Sequence, residues 1–260
     1  MRDNQYPRFE GGAIRCVART ESGTFGAFPR PARVLAPDKN DPPGTDLYNP
    51  AAHVYPFADS VYLMFPSAFY HDTDNLEIQI ATSRDGIRWA RAERTPFVKP
   101  GPDGSFDSRQ VYMGVGMVER GDEIWMYYGG FSVGHGEAKR GPGMGGVGRA
   151  VFLRDRLIAQ VAGRAGGRLR TRPVRFSGRE LRLNVDCGAG GHVRVDLLGA
   201  DGTPIPGFSA RDCEPLTGNS LHRTVRWKSG SDLSALTGKA VQLQFTLDGA
   251  RLYAFQFARP

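Results

Sequence analysis

Apolar residues fall at every second position through most of the last third of the chain, and this alternation leaves it few ways to fold. Leu181, Leu183 and Val185 form one such run, and Val193, Val195 and Leu197 another. Val241, Leu243, Phe245 and Leu247 follow, then Tyr253, Phe255 and Phe257. A period of two sends neighbouring side chains to opposite faces of a strand, so each run predicts a strand with one buried face. Gly188-Ala189-Gly190-Gly191, Asp201-Gly202 and Gly249 supply the turns between them. No stretch here has a helical period. Two sheets of such strands must bury their apolar faces on each other, which predicts a β-sandwich over residues 166–260.

The first part of the chain repeats itself. Ala18-Arg19-Thr20-Glu21-Ser22-Gly23 returns 63 residues later as Ala81-Thr82-Ser83-Arg84-Asp85-Gly86, and Pro37-Asp38 returns 65 residues on as Pro102-Asp103. Asp46 followed by the strand Val61-Tyr62-Leu63-Met64-Phe65 is echoed by Asp107 followed by Ile124-Trp125-Met126-Tyr127-Tyr128. Repeats of roughly 40–60 residues, each made of four short strands, are the mark of propeller blades. The chain then starts in the third strand of one blade, holds a complete blade at about 44–100 and a further one at about 105–165. The expected fold class is all-β: a partial β-propeller of about two and a half four-stranded blades over residues 1–165, then the sandwich.

Charge divides unevenly between the two parts. The net charge is +7; residues 166–260 hold 14 Lys and Arg against 8 Asp and Glu, a difference of +6. Alternating Arg168, Arg170 and Arg172 fit either a solvated sheet face or the recognition of an anionic partner. No nucleic-acid motif accompanies them, so nucleic acid is not an expected partner. No apolar run approaches the length of a membrane helix, and the residues after Met1 do not read as a signal peptide. Cys16, Cys187 and Cys213 lack metal-ligand spacing; they fit buried thiols, with a Cys187–Cys213 bridge as the alternative. Gly143-Met144-Gly145-Gly146-Val147-Gly148 matches the dinucleotide-binding pattern in letters only. A strand, not a helix, is predicted after it, so no nucleotide or other cofactor is expected.

Three acids are candidates for chemistry. Asp46 and Asp107 precede the inner strands of their blades, where side chains reach a central channel, and Glu77 lies on a third strand. Glycosidic hydrolysis needs two carboxyl groups flanking a sugar ring; the same aspartates can instead brace the backbone. His71 and His135 follow the aromatic positions Phe69 and Phe131 and can bind hydroxyl groups, while Tyr48, Tyr112, Trp125 and Tyr128 can stack on sugars or fill blade cores. Ser83-Arg84-Asp85-Gly86-Ile87-Arg88-Trp89 reads as a structural turn, with Asp-Gly at the corner.

Asp46-Leu47-Tyr48-Asn49-Pro50, Tyr62-Leu63-Met64-Phe65-Pro66-Ser67, the Ser83–Trp89 turn and Trp125-Met126-Tyr127-Tyr128-Gly129-Gly130 resemble blades of the five-bladed glycoside hydrolases of families 32 and 43. Leu169 to Phe257 resembles the β-sandwich appended to their bacterial relatives. The resemblance implies an enzyme of O-glycosyl bond hydrolysis with a carbohydrate substrate, in which one aspartate acts as base or nucleophile, a second tunes it and a glutamate donates the proton. It leaves a non-catalytic carbohydrate-binding protein and a structural propeller as alternatives. A closed ring of five blades needs about 300 residues, so residues 1–165 are expected to be part of a longer propeller, prone to self-association through exposed blade edges. Asp46 and Asp107 are expected to face one concave surface, with Tyr48 or His135 nearby.

Overall fold

The computed structural model describes residues 2–3, 14–137 and 141–259. Among these it is built from strands, with one 3-10 turn at Ser234–Leu236 and no α-helix. No helix is long and apolar enough to cross a membrane among the described residues. The chain divides into two compact units, Met1–Val151 and Phe152–Pro260.

In the first unit β1 (Arg2–Asp3) pairs with β2 (Ile14–Arg15), and β3 (Val17–Arg19) with β4 (Ala32–Leu35). Next come β5 (Thr45–Tyr48), β6 (Ala52–Val54), β7 (Tyr62–Met64) and β8 (Ser67–Tyr70). They are followed by β9 (Asn75–Ile78), β10 (Ala81–Ser83) and β11 (Trp89–Ala90). These form one four-stranded blade whose first three strands are each broken at the same level. Asn49 and Ala51 take positive φ of 49° and 37° between β5 and β6. Pro66 has no N–H to offer the ladder between β7 and β8. The freed groups pair locally: Phe65 N donates to Pro50 O at 2.8 Å and Gln79 N to Pro66 O at 2.9 Å. The inner halves run in the order β5-β8-β9 and the outer halves β6-β7-β10-β11. Leu47, Phe65, Leu76 and Ile78 are fully buried.

A second blade supplies β12 (Gln110–Met113), β13 (Val118–Arg120), β14 (Glu123–Phe131) and β15 (Gly145–Leu153). A parallel bridge from Gln110 to Leu76 joins β12 to β9, so the inner half of the first blade and the whole second blade make one seven-stranded sheet. The repeated segments Ala18–Gly23 and Ala81–Gly86 open antiparallel pairs in separate sheets, β3 with β4 and β10 with β11. Gly145 to Gly148 lie inside β15, so the glycine pattern runs into a strand with no helix to seat a pyrophosphate.

The second unit contains β16 (Gln160–Ala162), β17 (Gly167–Arg170), β18 (Val174–Arg175), β19 (Glu180–Gly199), β20 (Asn219–Thr224) and β21 (Ala240–Ala258). β19 and β21 pair antiparallel along nearly their whole length, except where the ladder breaks between Cys187 and His192. Gly190 and Gly249 supply positive φ of 71° and 52° at that bend. Both halves of each strand then feed one core: Leu181, Leu183 and Val185 meet Val193, Val195, Leu197, Leu243 and Phe245. Cys16, Cys187 and Cys213 are all buried, and none is in a disulfide.

Two expectations shift here. The unit boundary lies at Val151/Phe152 rather than 165/166, because Gln160–Ala162 pairs with Ala250–Leu252 of β21 and belongs to the sandwich. The last apolar run also loses its phase. A bulge between Asn184 and Val185 places Leu252, not Tyr253, opposite Val185. Leu252 is therefore buried, Phe255 stays 37% exposed, and Tyr253 packs under the Arg156 guanidinium at 4.9 Å.

Candidate functional site

Strand pairing fixes which side chains can meet. Asp46 is opposite Phe69, Phe69 opposite Leu76, Leu76 opposite Gln110 and Gln110 opposite Phe131. Directly paired residues share a face, so this row crosses both blades on one side of the sheet. Tyr48 and Tyr112, two residues further along their strands, share that side. On a flat sheet β5 and β12 would stand about 14 Å apart, three strand spacings of roughly 4.8 Å. Their tyrosines span that distance to reach the same ring.

That ring is His135. Tyr112 Oη lies 3.0 Å from its Nδ1, Tyr48 Oη 3.1 Å from its Nε2, and Gln110 Oε1 3.2 Å from Nδ1. Arg15 Nη1 approaches Nε2 at 3.2 Å. A guanidinium can only donate, so Nε2 accepts and the proton sits on Nδ1. Phe69 supports the imidazole at 4.7 Å between ring centres. The loop that carries His135 is held by Asp74, whose backbone oxygen accepts from His135 N at 3.3 Å and whose carboxylate accepts from Gly136 N at 3.0 Å. A Cβ on Gly134 would come within 2.1 Å of the Asp74 carboxylate and force it to shift.

Asp46 stands at the other end of the same group. It is 2% exposed. Its Oδ1 accepts from Arg15 N at 2.8 Å, while its Oδ2 lies 3.2 Å from His71 Nε2 and 3.6 Å from Arg15 Nε. The side chains of His71 and Arg15 are 35% and 34% exposed, so the buried carboxylate holds two groups that reach solvent. Arg15 also lies 4.7 Å above the Tyr48 ring. Burial raises the Tyr48 hydroxyl pKa well above the usual phenol range, with the neighbouring Tyr112 adding to it, so Tyr48 keeps its proton.

Five of the residues expected to matter are thus brought together: Asp46, Tyr48, His71, Tyr112 and His135. Glu77 is not. It pairs with Ala68, the neighbour of Phe69, and therefore projects from the opposite face of the sheet. There its Oε1 accepts from Tyr70 Oη at 2.7 Å and Gln79 Nε2 at 3.3 Å, and Gln79 in turn accepts from Arg91, which pairs with Asp41. Burial pushes the Glu77 pKa up against those two hydrogen bonds. Asp107 is also apart. Its carboxylate accepts from Ser105 Oγ and Tyr128 Oη, both at 2.7 Å, and Gly101 N donates to its backbone oxygen. Burial opposes its ionisation, but the hydrogen bonds from Ser105 and Tyr128 outweigh it and leave the pKa lowered.

The register shows why Asp107 is not the counterpart of Asp46. Asp46 pairs with Phe69 as Gln110 pairs with Phe131, and Tyr48 corresponds to Tyr112. Gln110, fully buried, occupies the equivalent place in the second blade. Arg15, Gln110 and Asp74 are members of the site that sequence reasoning missed. The pair Leu47-Tyr48 against Val111-Tyr112 carried the signal for Gln110. Arg15 sits in a two-residue strand too short to show a period.

No family profile matches the chain. Over 39 residues, 15% of this chain and 5% of the other, it is 41% identical to an A type blood N-acetyl-alpha-D-galactosamine deacetylase from Flavonifractor plautii. A glycoside hydrolase family 43 arabinoxylan arabinofuranohydrolase from Bacillus subtilis, solved in complex with cellotetraose, is a loose structural likeness. It aligns with 80% of this chain and 53% of its own at 12% identity and a TM-score of 0.23. The chain thus spans about half the length of that structure and a small part of the deacetylase.

Proposed function

We propose that the protein is a carbohydrate-active hydrolase working at the Asp46 cluster, with His71 as general base and Asp46 as the group that orients it. The supporting observation is the contrast in burial: a carboxylate 3% exposed in its side chain lies 3.2 Å from an imidazole that is 35% exposed. A buried carboxylate beside one ring nitrogen fixes the imidazole's orientation and stabilises the imidazolium that forms when the other nitrogen takes a proton.

The bond cleaved follows from what accompanies this pair. Glycosidic hydrolysis, the activity implied by the family resemblance, requires a second carboxyl group across the sugar. Glu77 faces away and Asp107 is held by Ser105 and Tyr128, which favours a reaction at Asp46 that needs no second carboxyl group. Removal of an acyl substituent from a sugar needs one base and donors for an oxyanion. His71 takes a proton from water as the oxygen adds to the acyl carbonyl. The Arg15 guanidinium and the protonated Tyr48 hydroxyl receive the developing negative charge. On collapse His71 returns the proton to the departing nitrogen or oxygen, giving the free acid and an unmasked amine or hydroxyl. The local identity to a sugar deacetylase favours the same class of bond.

Release of acetate from N- and O-acetylated sugars by the purified protein tests this. Asp46→Asn and His71→Gln are each expected to lower kcat/KM by about 10²–10⁴ with the fold retained by circular dichroism. Undiminished activity in both variants would remove the pair from the mechanism.

A further inference from the structure

The hydrogen bonds around His135 run in one direction, which can be followed from the protein interior outward. Gln110, fully buried, donates from Nε2 to Val133 O at 2.5 Å, so its Oε1 is left as an acceptor. Tyr112 Oη lies 2.6 Å from that Oε1 and donates to it. A hydroxyl has one hydrogen, so Tyr112 Oη then only accepts. Both atoms that face His135 Nδ1, Tyr112 Oη at 3.0 Å and Gln110 Oε1 at 3.2 Å, are therefore acceptors, and Nδ1 carries the proton. The other nitrogen requires the same tautomer, because Arg15 Nη1 stands 3.2 Å from Nε2 and has only hydrogen to give. The protonated Tyr48 hydroxyl, 3.1 Å from Nε2, is a second donor beside that lone pair.

Arg15 depends on that lone pair for its aim. Its Nε lies 3.6 Å from Asp46 Oδ2, too far for a tight hydrogen bond, and its guanidinium lies 4.7 Å above the Tyr48 ring. Neither contact fixes the rotation of the group in its own plane. The bond from Nη1 to His135 supplies a second corner and does so. These contacts engage Nε and Nη1 and leave the Nη2 hydrogens to an incoming acceptor. With a proton on Nε2, N–H would face N–H and the guanidinium would be turned away.

We propose that His135 is a positioning residue of this site: Gln110 and Tyr112 lock its tautomer, and its Nε2 lone pair aims the Arg15 guanidinium at the developing oxyanion. What the guanidinium acts on rests on the acyl-transfer reading above; what holds it rests on hydrogen-bond geometry. Asp46 and His71 then manage the proton, and His135 acts on the charge through Arg15. Donors fixed in place before the reaction need no reorganisation when charge appears, so the benefit falls on the transition state.

Two measurements test this, one of them independent of activity. Histidine-selective nitrogen NMR of the wild type above neutral pH, with His135 assigned by its loss in His135→Gln, is expected to show Nδ1 protonated and Nε2 bare. In acetate release from N-acetylated sugars, His135→Phe keeps a ring against Phe69 but removes the acceptor. It is expected to lower kcat about 10–100-fold with KM within about threefold. His135→Gln, whose side-chain oxygen can take the Arg15 hydrogen, is expected to recover most of that loss, which a residue that only fills space would not do. A proton on Nε2 overturns the proposal, as does wild-type kcat in His135→Phe or an equal loss in the two variants. If His135→Phe does not fold, the tautomer and the kcat of His135→Gln decide in its place. A wild type that releases no acetate overturns the assigned reaction instead; the tautomer then supports or overturns the hold on Arg15 by itself.

Discussion

At the scale of single residues, the three acids separate by what surrounds them. Asp107 has a lowered pKa in the fold, so its contribution to stability is present above the unfolded carboxylate value and is lost as pH falls through the folded one. Asp107→Ala is expected to cost about 1–3 kcal/mol by removing the acceptor for Ser105 and Tyr128, measured by urea melts at pH 7, with hydrolysis unchanged in the folded fraction. Glu77 has the opposite sign. Its raised pKa means that the ionised form is disfavoured in the fold, so stability falls as pH rises through the folded value. Glu77→Gln keeps an acceptor for Tyr70 and is expected to match or exceed wild-type Tm at pH 7; a clear drop in Tm would refute this account of Glu77. Asp46, Tyr48, His71, Tyr112 and His135 were legible in sequence because they stand beside aromatic strand positions. The pairing of Asp46 with Asp107 was a misreading of the repeat. It aligned two aspartates by type, where strand register aligns Asp46 with Gln110.

Elements repeat the lesson with backbone instead of side chains. Alternation located Leu181–Val185, Val193–Leu197 and Val241–Leu247, all of them buried on one side. It did not reveal that β19 continues through the glycines expected to be a turn, because a bend and a chain reversal draw on the same residues. The bend is tight. A Cβ on Gly191 would stand 2.3 Å from Gly249 O and 2.8 Å from Asp248 O, both rigid backbone atoms. Gly191→Ala is therefore expected to destabilise the second unit by about 1–3 kcal/mol, read from its denaturant midpoint. A midpoint within error of wild type would mean that the two strands separate there more easily than this packing allows. In the blades, Pro50 and Pro66 stand at two of the three breaks, yet the matching break at Gln79–Ile80 has no such marker and emerges only from pairing.

Over the whole molecule, the first unit carries the proposed chemistry and the second is a sandwich with a core of its own. The segment before Gly166 is tied into that sandwich: Arg156 Nε donates to Asn184 Oδ1 at 2.7 Å and Asn184 Nδ2 to Arg154 O at 3.1 Å. Residues 152–260 are accordingly expected to unfold in a single cooperative transition at a higher Tm than residues 166–260; equal Tm values would show that β16 adds nothing. The all-β class was legible from period and punctuation, whereas the unit boundary depended on a three-residue strand that no pattern announces. The central claim, that the Asp46 cluster removes an acyl group from a sugar, is tested most directly on one substrate that reports both bonds. With p-nitrophenyl N-acetylgalactosaminide, acetate release reports the acyl bond and nitrophenol release the glycosidic one. The expected result is acetate without nitrophenol, abolished by Asp46→Asn; nitrophenol released with the acetyl group intact would contradict it.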